Sequence, residues 1–338
     1  MVSQEVKFNS QERALATTNP IHDLFARLNQ LGIATTFARK VLPSWWDMRM
    51  ADTPSGLQQT QMLLARAFNI NLSSLADPKA QVIFLETERK FKLNDRMDPA
   101  EVFVSAHYAT ALVKLALRGF KLSQALVPKE AVELRDFILQ SADIVNLPCL
   151  LDWCTQAGIP VLYVHKLPGK KMTGMVVRDA DRFAVVLSRK GTPSHLLFHL
   201  AHELGHIGHG HLTGNGFVLD EKIGDADRGD ADEKEADAYA IRLINGKSVS
   251  YSATGAIRSG IALYRAACSV AQTERIDAGH IILNYGNAQK AHGLANQALK
   301  HVPGESDGGL VVNTHFWHSF DTDAVSEDQL ELLQTALA

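Results

Sequence analysis

The stretch from His199 to Leu212 reads His-Leu-Ala-His-Glu-Leu-Gly-His-Ile-Gly-His-Gly-His-Leu and contains the pattern H-E-x-x-H. His202 and His206 are four residues apart, so on a helix both imidazoles can point from one face toward one ion. Glu203 lies beside them, where a carboxylate can act as a base on water next to a zinc ion. Because two ligands do not hold a catalytic zinc, a third ligand must come from elsewhere in the chain.

The composition is that of a globular protein with room for more than one domain. The 338 residues are 46% hydrophobic and 21% charged, and the net charge of −3 disfavours a protein that binds nucleic acid over its whole surface. The three cysteines, Cys149, Cys154 and Cys268, form no C-x-x-C pair and fit a reducing compartment. With no signal peptide and no stretch long enough to span a bilayer, the chain is expected to be soluble, cytoplasmic and without membrane partners.

Helical patterns dominate on both sides of the histidine-rich stretch. We expect four regions: a helical N-terminal domain at 1–78, a helical linker at 79–147, a core at 148–250 and a C-terminal helical extension at 251–338. Within the linker, the pattern predicts a helix at 80–91. Near the C-terminus, the segment from His315 to His318 is expected to be a strand or loop with a structural role.

Three short segments before the motif have strand character, at 160–164, 174–178 and 183–187, and the last two flank a predicted hairpin turn. Thr192 is expected as the N-cap and Pro193 as the first residue of the helix that carries H-E-x-x-H. The sequence therefore predicts an α+β, mostly helical fold in which a small antiparallel sheet packs against the metal helix. An exposed edge of that sheet could bind an extended peptide by strand addition.

The third ligand has three candidate sources. In the arrangement H-E-x-x-H-x-x-G-x-x-H, glycine and the third histidine would occupy positions 209 and 212, but this chain has His209 and Leu212 there, so register excludes that class. His209 itself is three residues after His206 and seven after His202. Three ligands from one straight helix rarely converge on a tetrahedral ion, which leaves a carboxylate from a second helix as the favoured choice.

A second strongly helical segment follows the acidic segment 220–232, which we expect to be a solvated loop. Glu233 and Asp237 in this second helix are four residues apart and share a face. Glu233 is expected to be the third ligand, and Asp237 to accept a hydrogen bond from the remaining N–H of a ligand histidine. Ala236, beside them, would let the two helices approach closely. Glu235 falls toward the opposite side and is expected to be a surface charge.

The two motifs together resemble those of a known family. H-E-x-x-H followed by E-x-x-A-D resembles the glutamate-zinc peptidase clan. With the strands before it, the fuller pattern is similar to the ImmA/IrrE family of cytoplasmic metallopeptidases over residues 148–245. The resemblance implies a zincin-type two-helix core that holds one Zn²⁺ per chain through His202, His206 and Glu233, with Glu203 as the base.

The resemblance also implies a function. Members of that family are associated with cleaving or inactivating transcriptional repressors, so the expected activity is a zinc-dependent endopeptidase acting on a repressor or antitoxin-like regulator. His209 is expected to assist as a neighbour of the site, and Tyr239 and His209 are candidate donors to the oxyanion of the transition state. The alternative is a zinc-stabilised regulator that binds DNA or a partner protein and has a degenerate peptidase site.

A second resemblance lies in the N-terminal domain. Segment 63–75 is similar to the closing half of a repressor-type helix-turn-helix, which would place the DNA-reading segment near 44–52. That segment contains Trp45, Asp47 and Arg49 but little of the positive charge that phosphate contacts need. DNA binding and a helical packing or partner-docking role therefore both stay open for this domain.

Overall fold

A computed structural model describes residues 20–85, 88–92, 99–120, 124–220, 231–253, 255 and 257–338. The α-helices in this described part are α1 (Pro20–Gln30), α2 (Thr35–Lys40), α3 (Pro54–Ala67), α4 (Leu72–Ala76), α5 (Pro99–Gly119), α6 (Ala131–Ile138), α7 (Leu147–Gln156), α8 (Pro193–Gly208), α9 (Ala231–Asn245), α10 (Gly260–Glu274), α11 (Ala278–Ala288), α12 (His292–Leu299), α13 (Gly308–Ser319) and α14 (Glu327–Leu337). The strands are β1 (Glu88–Lys92), β2 (Val161–Tyr163), β3 (Gly174–Asp179), β4 (Arg182–Leu187) and β5 (Gly216–Asp220). The fold is α+β and mostly helical, as predicted, and none of the described helices is long and apolar enough to cross a bilayer.

The five strands form one mixed sheet in the order β1-β5-β3-β4-β2. The predicted hairpin is confirmed as β3 and β4, which pair antiparallel across a tight turn where Ala180 has a φ of +55°. The prediction of a wholly antiparallel sheet is wrong, because β1 runs parallel to β5 and β2 runs parallel to β4. Short strand patterns reveal which segments are extended, but long connections allow an outer strand to enter in either direction.

The predicted helix at 80–91 is also wrong. Residues 81–85 are extended, and 88–92 form β1. The side chains alternate, with Val82 and Phe84 buried and Ile83 exposed, which is the two-residue period of a strand. The backbone carbonyl of Ile83 accepts a hydrogen bond of 2.9 Å from the N–H of Asn71, so this segment pairs with the chain that leaves α3.

The sheet separates two hydrophobic cores. On one face, Met175 and Phe217 belong to a core shared with α1, α3, α5 and α14. On the other face, Val185 and Leu187 belong to a core shared with α7, α8, α9 and α11. The first core joins residues of the predicted N-terminal domain, linker and C-terminal extension, so the cores do not follow the predicted domain boundaries, which stay predictions.

The segment near 44–52 does not form the α-helix that reads DNA in a helix-turn-helix. It contains a 3₁₀ helix, Met48–Asp52, after an irregular stretch. The indole Nε1 of Trp45 donates to Asp328 Oδ1 at 2.7 Å, and the backbone N–H of Ser44 donates to Glu331 Oε1 at 2.7 Å. Acidic side chains of α14 therefore contact the segment expected to read DNA, and DNA binding stays a prediction.

The segment from His315 to His318 is helical, so the expectation of a strand or loop there is wrong. It lies in α13, whose first turn contains Gly308 and is capped by the carboxylate of Asp307. The side chain of Asn313 in this helix accepts a hydrogen bond from the N–H of Tyr163 and donates one to its carbonyl, both at 2.9 Å. The helix thereby occupies the outer edge of β2.

Candidate metal centre

The metal helix α8 begins where the sequence predicts. Thr192 is its N-cap residue and Pro193 is in its first turn, although the Thr192 hydroxyl hydrogen-bonds the Nδ1 atom of His195 at 2.9 Å instead of capping the backbone. His202 and His206 follow on the face that is turned toward α9. Their side chains are 11% and 0% exposed, so this face of the helix is covered by the rest of the chain.

Small residues allow α9 to approach α8 closely, as expected. A Cβ atom built on Gly205 would lie 2.9 Å from the Cα atom of Ala236, and Ala236 and Ala240 are both fully buried. The close approach brings Glu233, in the first turn of α9, next to the two histidines. Residues 221–230 of the acidic segment that precedes α9 lie outside the described residues.

One donor atom from each of three residues, His202, His206 and Glu233, lies within 4.8 Å of the other two. The two Nε2 atoms are 3.1 Å apart, Glu233 Oε2 is 3.4 Å from His202 Nε2, and Glu233 Oε1 is 3.5 Å from His206 Nε2. Bonds of about 2.05 Å at a tetrahedral angle place two ligands of one zinc ion about 3.4 Å apart. The two separations from Glu233, each measured to a different carboxylate oxygen, are close to that spacing, and the two histidine nitrogens lie somewhat closer together.

The hydrogen-bond partners of the side chains also favour a cation between the three donor atoms. His202 Nδ1 lies 2.9 Å from Asp237 Oδ1, the contact expected from the sequence. A carboxylate accepts hydrogen bonds, so this nitrogen carries the proton, and the Nε2 atom of the neutral ring presents a lone pair to the cluster. Glu233 Oε1 is buried and has no hydrogen-bond partner. Facing lone pairs repel one another, and a divalent ion bound by nitrogen and oxygen removes that repulsion.

Glu203 is placed by the first residue of β3. Its side chain is 1% exposed, and a Cβ atom built on Gly174 would lie only 1.8 Å from Glu203 Oε1. The carboxylate therefore occupies the space that a side chain at position 174 would fill. It is not part of the three-residue cluster.

Two further residues, His211 and Glu235, lie next to the cluster. His211 Nδ1 lies 2.7 Å from His206 Nδ1, and His211 Nε2 lies 3.1 Å from Glu235 Oε2. Glu235 is exposed, as expected of a surface charge, and its carboxylate also contacts His211. Gly210 explains the arrangement: its φ of +71° ends the helix and turns His211 back toward His206. Burial lowers the pKa of His211, which the hydrogen bond with Glu235 partly opposes.

The other two predicted assisting residues have contacts outside the ligand cluster. His209 Nδ1 lies 3.6 Å from Glu235 Oε2, and its ring stacks on that of His211. The hydroxyl of Tyr239 donates to the carbonyl of Pro128 at 3.0 Å, and burial raises the pKa of Tyr239. The first contact joins the end of α8 to α9, and the second joins α9 to the segment before α6. Oxyanion stabilisation by either residue stays a prediction.

The strands next to α8 do not offer the free edge that was expected for strand addition. Strands β3 and β4, which pack against α8, are each paired on both sides. The outer edge of β2 is covered by Asn313 of α13. Peptide binding along an edge beside the metal helix therefore has no support from β2, β3 or β4.

No family model, curated protein or solved structure matches this chain. The likeness to the ImmA/IrrE family stays an expectation based on the two motifs. The geometry of the three-residue cluster supports a metal site independently of that likeness.

Proposed function

We propose that the protein is a zinc-dependent endopeptidase that holds one Zn²⁺ per chain through His202, His206 and Glu233. The observation that supports this is the cluster of three metal-ligating side chains within 4.8 Å of one another, in which Asp237 directs the lone pair of His202 inward. A zinc ion bound there would act as a Lewis acid on a substrate carbonyl and on water, with its fourth position open.

In this proposal the side chains move protons and hold one another in position. Glu203 takes the proton of the attacking water and later passes it to the nitrogen of the leaving amine. Asp237 holds the ring of His202 so that Nε2 stays directed toward the ion.

The proposed substrate is a protein, namely a transcriptional repressor or antitoxin-like regulator, as the motif resemblance implies. We propose a cytoplasmic location, which is supported by Cys149, Cys154 and Cys268, all of which are free thiols. The half-exposed Trp45 and the carboxylates near it offer one candidate surface for such a partner.

The decisive experiment incubates the protein with repressors encoded beside its gene, with and without a chelator. We expect cleavage that the chelator stops and added zinc restores. The Glu203→Gln variant keeps the side-chain volume and the ligands, so it should bind zinc and lose about 10²–10⁴-fold in cleavage rate. Cleavage at the wild-type rate by this variant would contradict the proposal.

A second candidate is a zinc-stabilised regulator that binds DNA or a partner protein and has a degenerate peptidase site. The burial of His206 and Glu203 favours it, because a cluster covered by the rest of the chain gives a peptide substrate little access. This candidate predicts zinc binding and a salt-sensitive complex with DNA from its own promoter, but no hydrolysis of any candidate repressor.

A further inference from the structure

A chain of three side chains leads away from the proposed metal site, from His206 through His211 to Glu235. The distances are 2.7 Å between the two Nδ1 atoms and 3.1 Å between His211 Nε2 and Glu235 Oε2. A second carboxylate, Asp232, has Oδ1 3.8 Å from the same Nε2 atom. This series of contacts begins at the fully buried imidazole of His206 and ends at the carboxylate of Glu235, whose side chain is 54% exposed.

The protons on the imidazole nitrogens of His206 and His211 can be assigned from the hydrogen-bond partners of these rings. Glu235 accepts, so His211 carries its proton on Nε2 and presents a lone pair at Nδ1. The Nδ1 atom of His206 must then be the donor, which leaves the lone pair of His206 Nε2 directed toward Glu233 and His202. His202 has the same tautomer, with its proton on Nδ1 and its lone pair on Nε2, because Asp237 accepts from it directly. The two ligand imidazoles are therefore oriented by different means, one through a carboxylate directly and one through an intervening histidine.

We propose that His211 is a positioning residue for His206: it fixes the ring and its tautomer so that Nε2 binds the metal, and Glu235 in turn fixes His211. The inference rests on the proposed metal site but not on peptidase activity. His211 contacts no reacting atom in this account and acts through His206. The positive φ of Gly210 and the 7% exposure of His211 keep this ring beside His206.

The test measures zinc affinity by competition with a chromophoric chelator, together with the visible absorption spectrum of the Co²⁺-loaded protein. In His211→Leu, His206 loses its acceptor, and zinc affinity should fall about 10–100-fold. The Co²⁺ bands should change because the ring of His206 is free to reorient. His211→Gln can accept from His206 and donate to Glu235, so it should recover most of the lost affinity. The matched control is His318→Gln, the same exchange at an exposed histidine of α13.

Wild-type zinc affinity and an unchanged Co²⁺ spectrum in His211→Leu would overturn the inference. Equal losses in the leucine and glutamine variants would also overturn it, because they would indicate packing rather than hydrogen bonding. If His211→Leu does not fold, Glu235→Ala decides, since this half-exposed side chain can be removed without opening the core. A loss of zinc affinity in that variant supports the inference, and wild-type affinity contradicts it. Because hydrolysis is not measured, an absence of peptidase activity would contradict the proposed function alone.

Discussion

Gly174→Ala is a small change that should remove activity while leaving the fold and the metal site in place. The new Cβ atom would lie 1.8 Å from Glu203 Oε1, whereas ordinary contacts begin at 3.4 Å. The carboxylate must therefore retreat by 1.6 Å, the difference between these two distances. Gly174 lies in a strand and has no positive φ, so the alanine backbone itself is not strained.

The size of the effect follows from that displacement. A catalytic group misplaced by about 1 Å can cost about 100-fold in rate, and loss of a general base costs about 10²–10⁴-fold. We therefore expect kcat/KM to fall at least about 100-fold. The free energy of unfolding should fall by about 1–3 kcal/mol, because the three nearest atoms, Oε1, Cδ and Cγ of Glu203, all belong to one flexible side chain. Zinc affinity should stay at the wild-type value, because the three atoms nearest to the new methyl group all belong to Glu203 and none to a proposed ligand.

The assay is hydrolysis of a degenerate fluorescence-quenched peptide library, with zinc content and denaturant unfolding measured on the same preparation. Gly293→Ala is the matched control, since a Cβ atom there meets no atom within 4 Å. Wild-type hydrolysis by a folded, zinc-loaded Gly174→Ala protein would refute the assignment of Glu203 as the base.

Three further predictions concern other parts of the molecule. Gly205→Ala should lower the free energy of unfolding by about 1–3 kcal/mol in urea titrations, because its Cβ would lie 2.9 Å from the Cα of Ala236; an unchanged midpoint would contradict this close helix contact. Asp237→Ala should weaken zinc binding about 10–100-fold in chelator competition, whereas Asp237→Asn, which keeps an acceptor for His202, should lose less. Burial lowers the pKa of His280 to about 4, so the unfolded chain takes up this proton first as the pH falls. The stability of the wild type relative to His280→Leu should therefore drop by up to about 3 kcal/mol between pH 6.5 and pH 4, and a constant difference would refute this.

Helical periodicity was sufficient to locate the three proposed ligands. His202 and His206 share a face because they are four residues apart, and the same spacing links Glu233 to Asp237 in the second helix. Alanine at position 236 correctly indicated that the two helices approach closely. The spacing within each helix is local geometry, which a sequence specifies well, and the approach of the two helices followed from their small residues.

The positions that sequence reasoning missed depend on contacts between distant parts of the chain or on unusual backbone angles. His211 reaches His206 only because Gly210 has a positive φ, and a straight helix would direct it elsewhere. Gly174 supports Glu203 from a strand whose two neighbours include β5, a strand not expected from the sequence. The Gly-His pair at 210–211 could have served as a signal, since glycine after a helix often takes the left-handed conformation.

The most direct test of the zinc site is X-ray absorption at the zinc edge of the purified protein, compared with Glu233→Ala. We predict one zinc per chain, with a shell of nitrogen and oxygen at about 2.0–2.2 Å that includes two imidazoles. In Glu233→Ala the ion should be lost or retained only weakly, since His202 and His206 alone provide two ligands. A sulfur shell at about 2.3 Å, or full zinc occupancy with an identical spectrum in Glu233→Ala, would contradict the proposed site.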